Sequence, residues 1–450
     1  MSDGERKLVV IGSGVAGATA ALAARAETPD AEVVVYSIER HPFYNKIALG
    51  SVITGARRPE HLAVLAPDWL ESHGVEHRRG ESVRALDPDR GRALLETGAE
   101  VSFDRLILAT GASPTLPPVP GIDGPGVFPL WSLDDALTIR DGVRGARRIV
   151  VIGGGVLGVE AAFDLSAIGV EVTLVEARPT LMPDLLDAQA ARLLADALAA
   201  RGVRVLSDSP VTGVSHGVGR CRIELRRGAA LDVDAAILVA GVAPNVGLAR
   251  SAGLRTGRGI LVDEHQRTSH PRVLAAGNCT EPASGASFLW NPARRQGEVA
   301  GINAFEVKRA FEPRPPTLHT KTPGFPVFVC GRTTRSEPGD RVLSSLRGES
   351  YQALRVDREH RLVGAICAGD VGGYPALERA IVRGEAVPVR LHGEGSADAV
   401  VEALAPPVER DERTGPTTWV CRMCGYTPEG EHPPEVCPVC GVGRDQFVAA

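Results

Sequence analysis

The pattern Gly-x-Gly-x-x-Gly occurs twice, each time after an apolar run and before a stretch with helical character, and this repeat constrains the fold more than any other feature. In the first copy Val9, Val10 and Ile11 read as a buried parallel strand, and the alanine-rich segment through Arg25 reads as a helix. Between them each glycine has its own task. Gly12 permits the tight turn, Gly14 lets the backbone approach a pyrophosphate, and Gly17 lets the helix pack close to the strand. The helix N-terminus supplies amides and positive partial charge for the phosphates. In the second copy Ile149 to Ile152 is the strand, Gly153, Gly155 and Gly158 repeat the spacing, and Val159 to Ala167 continues as helix. One copy is a weak signal, because glycine-rich turns after strands are common. Two copies point to two dinucleotide sites, against the alternative of two such folds that hold no nucleotide.

An acid that accepts from an adenosine ribose belongs near the end of the next strand. After the first copy that strand is Glu32 to Ser37, and the best match is Glu39, slightly late. After the second copy it is Val170 to Val175, followed directly by Glu176. Other strands leave into glycine at Arg105 to Gly111, Ala236 to Gly241 and Val273 to Gly277. His41 to Gly55 reads as a loop running into a helix, Pro114 to Pro120 as a stiff crossing between domains, and Arg294 to Ala310 as a helix. From His319 the strand-like pieces Val327–Cys330, Tyr351–Val356 and Leu362–Cys367, with helix-like Tyr374–Arg383, suggest a small α/β domain. Ala405 to Thr417 is polar and unpatterned, a linker spanning about 20 Å if flexible.

The tail carries Cys421-x-x-Cys424 and Cys437-x-x-Cys440 with 12 residues between them. Each knuckle puts two sulfurs on one side of a tight turn, so the four form a tetrahedral thiolate site. A segment this short cannot bury a stable core, so the metal should hold it folded. Geometry alone suits zinc and iron equally, and fusion to a redox module turns the weighing to iron.

The chain has 450 residues, so several domains are expected. Four of its eight cysteines fall in the tail, and the first residues carry no signal-peptide core, which makes a reducing, cytoplasmic setting the expectation. No apolar run reaches membrane-spanning length. A net charge of −5 and 4% aromatics give no support for nucleic-acid binding.

Taken together, the two fingerprints, Ala109-Thr110-Gly111, Ala276-Gly277-Asn278-Cys279 and the small domain resemble the FAD-dependent pyridine nucleotide oxidoreductases over Leu8 to Arg390. Within that family, Glu39 to Gly55 resembles rubredoxin reductases and the flavoprotein portion of assimilatory nitrite reductase large subunits. The tail resembles the short rubredoxin at the end of rubrerythrins. The resemblance implies FAD at Gly12, Gly14, Gly17 and Glu39, and NAD(P)H at Gly153, Gly155, Gly158 and Glu176. It also brings Ala109, Thr110, Gly111, Gly241 and Gly277 to the cofactors. Asn278 stands where the family usually has Asp against the FAD chain. Tyr44, Asn45 and Lys46 match the loop near the flavin, and Lys46 with Glu160 is the expected catalytic pair. Glu176 repels a 2′-phosphate and favours NADH, and Arg178 two residues on softens the preference against NADPH. Relatives that work through a thiol carry cysteine around Tyr44 to Ser51, and none occurs here. Cys221, Cys279, Cys330 and Cys367 read as core thiols, with a redox pair of Cys330 and Cys367 as the alternative, and no partner of His41 or His319 is visible in the sequence.

The expected fold class is α/β, with two Rossmann-like domains, a small C-terminal α/β domain and a four-cysteine rubredoxin-like domain. The expected boundaries are 1–115 with 245–316 for FAD, 116–244 for NAD(P)H, 317–392 for the small domain, 393–417 for the linker and 418–450 for the tail. The expected activity is NADH-dependent reduction of FAD, with electrons passed singly to the tail iron and on to a redox protein or small-molecule acceptor. The rivals are a flavin reductase of a separate acceptor with a zinc-bound, partner-binding tail, and a non-catalytic nucleotide sensor.

Overall fold

The computed structural model describes residues 6–63, 68–283, 285, 287–320, 322, 324–369, 374–387, 397–404, 419–421, 432–434, 444 and 447–449. Each fingerprint strand is the middle of a five-stranded parallel sheet. The first sheet runs Val273–Ala275, Arg105–Leu108, Lys7–Ile11, Glu32–Ser37, Glu76–Arg79. The second runs Val127–Pro129, Ala235–Leu238, Arg148–Ile152, Glu171–Val175, Arg204–Leu206. The register repeats too, with Ile11 opposite Tyr36 and Ile152 opposite Val175. These strands are nearly continuous Val, Leu and Ile because both faces are covered. In the first sheet Leu8, Val10 and Val33 join one core layer, and Val9, Val34 and Leu106 join the other.

Small residues set the helix packing over the first sheet. The helix Val15–Glu27 turns Ala16 and Ala20 toward the helix Trp290–Ile302. A Cβ on Gly297 would sit 2.2 Å from the Ala16 carbonyl oxygen, and one on Gly301 2.2 Å from that of Ala20. This second helix starts earlier and stops earlier than the expected Arg294–Ala310. It stops because Asn303 turns the chain, its Oδ1 accepting from the amides of Lys308 at 2.8 Å and Arg309 at 2.9 Å.

The two halves are joined by crossings that pair with each other, Ala112–Pro114 antiparallel to Val242–Pro244. Asn245 clasps them, its Nδ2 donating to the Thr110 carbonyl at 2.8 Å and its Oδ1 accepting from Ser113 Oγ at 2.8 Å.

The C-terminal sheet is antiparallel, in the order Thr317–His319, Val327–Gly331, Leu362–Ala368, Ser350–Val356, Arg341–Arg347. One face packs Val327, Tyr351 and Ile366 against the second half. The other is covered by the helices Tyr374–Arg383 and Ala397–Leu404. The second of these helices shortens the expected linker 393–417. Ala397, Val400, Val401 and Leu404 form a helical apolar stripe that joins this core, and Asp398 is held by Ser345 at 2.9 Å and Arg347 at 2.8 Å. In the tail, Trp419–Cys421 pairs antiparallel with Phe447–Ala449. Cys424, Cys437 and Cys440 lie outside the described residues. Among the described residues no helix is long and apolar enough to cross a membrane.

Candidate functional site

One cavity of about 1280 Å³ is lined by both glycine turns, through Gly12 and Gly14 from the first and Gly153 and Gly155 from the second. It exceeds the roughly 300–1,000 Å³ typical of a site for one small ligand. The three glycines of each turn divide their roles alike. Gly12 (φ +107°) and Gly153 (φ +115°) need the left-handed region. Gly17 and Gly158 do not line the cavity, and a Cβ on either would sit 1.8 Å from the carbonyl oxygen of Gly12 or Gly153. Gly14 and Gly155 face open space, with nothing within 4 Å of an added Cβ. Each is the N-cap of its helix, and neither helix has a side-chain cap. Uncapped first-turn amides, aligned helix dipoles and open space in front of them fit an anionic phosphate at each turn.

Glu176 is pinned to the wall. Its Oε2 accepts from Gly154 N at 2.6 Å and its Oε1 from Arg178 N at 2.7 Å. Gly153 N bonds the Val175 carbonyl and Gly12 N bonds that of Tyr36, so the register counterpart of Glu176 in the first half is Ser37. Ser13, counterpart of Gly154, donates from its Oγ to Ser37 Oγ at 2.8 Å. A hydroxyl pair therefore stands where the second half has an amide–carboxylate bond. Glu39 lines the cavity two residues farther on. Overlaying the two fingerprints in the sequence would have exposed this offset.

Glu39 accepts from Lys46 Nζ at 2.7 Å and from the Tyr44 hydroxyl. Lys46 and Glu160 both line the cavity. The Tyr44 oxygen accepts in turn from Leu133 N at 2.9 Å. Leu133 opens a helix of the second half whose start is a capping box, Ser132 Oγ accepting from Asp135 N and Asp135 Oδ2 from Ser132 N. Burial pushes the Tyr44 hydroxyl far above its ordinary range, and the Glu39 charge adds to this. His41, with no partner visible in sequence, pairs with Asp134 at 2.7 Å. The loop after the first half's second strand thus bonds twice to the second half.

Asn278 lines the cavity with a buried Oδ1 that has no hydrogen-bond partner, an acceptor that fits a ligand donor. Trp290 Nε1 is likewise buried without a partner, its ring stacked on Phe43 with centroids 5.8 Å apart. No motif marks either aromatic. Ala109, Thr110, Gly111 and Gly241 line the cavity, whereas Asn45 and Gly277 do not. Asn45 instead caps Ile47 N at 2.9 Å, and Gly277 N donates to Gln296 Oε1 at 2.7 Å. His319 lines the cavity beside Tyr374, with ring centroids 4.4 Å apart. No cysteine is among the described lining residues. Cys330 and Cys367 lie in the core of the small domain, and burial pushes the Cys330 thiol up to about 12.

The family of pyridine nucleotide-disulphide oxidoreductases matches residues 6–297, and the rubredoxin-like domain of rubrerythrin matches 419–448. The chain is 32% identical over 342 residues to the assimilatory nitrate reductase electron transfer subunit of Bacillus subtilis, covering 75% of this chain and 44% of that one. It spans less than half the length of several such curated relatives. It is 26% identical to the NADH-rubredoxin oxidoreductase of Clostridium acetobutylicum, covering 83% of this chain and 94% of that one. The crystal structure of NADH:rubredoxin oxidoreductase from that organism superposes with a TM-score of 0.73 at 25% identity, over 89% of this chain and 100% of that one.

Proposed function

The chain belongs to the pyridine nucleotide-disulphide oxidoreductase family, and on that premise we propose that it is an NADH-dependent FAD oxidoreductase that passes electrons to the four-cysteine centre of its own tail. The observation that carries this reading is the single cavity lined by both glycine turns, which supports two dinucleotides meeting in one enclosure. FAD is assigned to the first turn, with Gly14 and the uncapped helix amides at its phosphates and the unpartnered Asn278 oxygen accepting from its chain. NADH is assigned to the second turn, where Gly155 opens onto the phosphates and the fixed Glu176 carboxylate accepts from a ribose hydroxyl. When bound, the flavin supplies the conversion between a two-electron donor and a one-electron acceptor.

The protein's contribution is to hold and orient. Lys46 is steadied by Glu39, Glu39 by Tyr44, and Tyr44 by an amide of the other half, so the place of this cation in the cavity depends on both halves. Lys46 and Glu160 are the charged pair we assign to the reacting end. No thiol stands in the loop from Tyr44 to Ser51 to relay electrons, and the tail is the acceptor that fits. Its donor set of Cys421, Cys424, Cys437 and Cys440 suits one iron held by four thiolates. Zinc fits the same sulfurs, and the covalent union with a flavin-binding portion favours iron. Tethering raises the effective concentration of the acceptor, and a redox protein or small molecule would take the electrons onward.

The test is an absorption spectrum of the purified full chain before and after anaerobic NADH, with metal analysis and stopped-flow reduction. Flavin and ferric-thiolate bands are expected, both bleached, with iron reduction independent of protein concentration. Zinc in native material, or concentration-dependent bleaching of the iron, would remove the tail from the internal route. Absence of flavin, or no sustained turnover with a one-electron dye, would overturn the enzyme reading.

A further inference from the structure

Arg178 and Lys46 are the only lysine or arginine side chains on the cavity wall among the described residues. Lys46 sits with the first half's Glu39, which leaves Arg178 as the cation of the second half. Arg178 follows Glu176 by two positions and is fixed at both ends of its backbone. Its amide donates to Glu176 Oε1 at 2.7 Å, and its carbonyl accepts from Asp208 N at 2.9 Å. Its guanidinium is drawn aside, with Nη1 2.8 Å from Asp184 Oδ2.

Asp184 is anchored independently of this pair. The loop that carries it folds back on the glycine turn, where Met182 N donates to the Gly154 carbonyl at 2.9 Å. The Asp184 carbonyl accepts from Thr334 Oγ1 of the small domain at 3.0 Å. Asp184 also lines the cavity. A carboxylate held from the far side therefore occupies the cation that a phosphate beside Glu176 would need.

We propose that Asp184 is a specificity-determining residue, which keeps Arg178 away from the adenosine 2′-position and so helps the second site to refuse NADPH. The inference deepens the coenzyme assignment above and rests on it. A 2′-phosphate entering the site meets the Glu176 carboxylate and must compete with Asp184 for Arg178. Glu176 supplies the repulsion, and Asp184 withholds the compensating attraction. Both partners of the pair are open to solvent, at 52% for Arg178 and 82% for Asp184, so the pair is a weak latch. Releasing it should move affinity for a 2′-phosphate by about 1.4-fold to fivefold.

The test uses the FAD-loaded full chain and titrates it by calorimetry with 5′-AMP and 2′,5′-ADP, which differ only in the 2′-phosphate. Kinetics with NADH and NADPH run in parallel. Wild type is expected to bind 5′-AMP more tightly than 2′,5′-ADP. Asp184→Asn is expected to tighten 2′,5′-ADP and raise kcat/KM for NADPH about 1.4-fold to fivefold, leaving 5′-AMP and NADH unchanged. Adding Arg178→Ala to Asp184→Asn is expected to abolish the gain. An unchanged 2′,5′-ADP affinity in Asp184→Asn overturns the proposal, as does a gain that survives loss of Arg178. If wild type binds neither nucleotide and NADH leaves the flavin oxidised, the coenzyme assignment itself falls.

Discussion

Two substitutions of the same kind, three residues apart, should have opposite consequences. Gly155→Ala places a methyl where nothing lies within 4 Å, on a backbone with φ −73° that alanine adopts freely. The fold should lose only the N-cap preference of glycine over alanine, about 0.5–1 kcal/mol. The methyl, however, takes the space in front of the uncapped amides. If one charge-assisted hydrogen bond to the pyrophosphate is lost, at about 1.5–3 kcal/mol, NADH binding weakens about tenfold to a hundredfold. Gly158→Ala places the same methyl 1.8 Å from the Gly153 carbonyl oxygen and 2.9 Å from Val239 Cγ2. Helix and strand must separate, which costs about 1–3 kcal/mol or more in overpacking. FAD content, thermal melting and the NADH dissociation constant from stopped-flow reduction distinguish the two. Gly155→Ala should keep its FAD, melt only slightly earlier than wild type and lose NADH affinity, whereas Gly158→Ala should melt much earlier. Wild-type NADH affinity in Gly155→Ala, or wild-type melting in Gly158→Ala, refutes the division of labour among the glycines.

Tyr44→Phe removes the acceptor of Leu133 N, and an unsatisfied buried amide costs about 1–3 kcal/mol, so earlier melting is expected, with faster proteolysis between the halves as a second readout. Asp234 accepts from the amides of Arg148 and Arg147, which hold its carboxyl below the usual range. A depressed folded-state pKa gives stability that is present above the unfolded value near 3.9 and lost as pH falls through the folded one. Asp234→Asn should therefore flatten the acid limb of a stability profile below about pH 4, and an unaltered limb would contradict this. Cys421→Ser should abolish the ferric-thiolate band while NADH still reduces the flavin; loss of flavin reduction would place the tail upstream of it.

Much of this molecule was readable because the turn motifs are local. Strand, glycine and helix stand within a dozen residues, and steric need at Gly12, Gly17, Gly153 and Gly158 leaves no other residue type. Glu176 was legible because it follows its strand directly and bonds the turn beside it. The first half was harder. Glu39 is the nearest acid, yet the register puts Ser37 at the equivalent place, because pairing of strands, and not distance along the chain, decides which side chain meets the turn. The helix Ala397–Leu404 has its apolar stripe in plain view, but only the small domain's sheet gives that stripe something to cover.

The sequence by itself determined the two glycine-rich strand-to-helix turns, the cysteine-free loop and the four-cysteine tail, since each is a property of neighbouring residues. Tertiary structure alone decided that the turns share one cavity, that Tyr44 bonds Leu133, and that Asp184 occupies Arg178. Tyr44 and Leu133 stand 89 residues apart, and Thr334 reaches Asp184 across 150. Such meetings depend on how sheets and helices stack, through many weak apolar contacts that no short motif encodes.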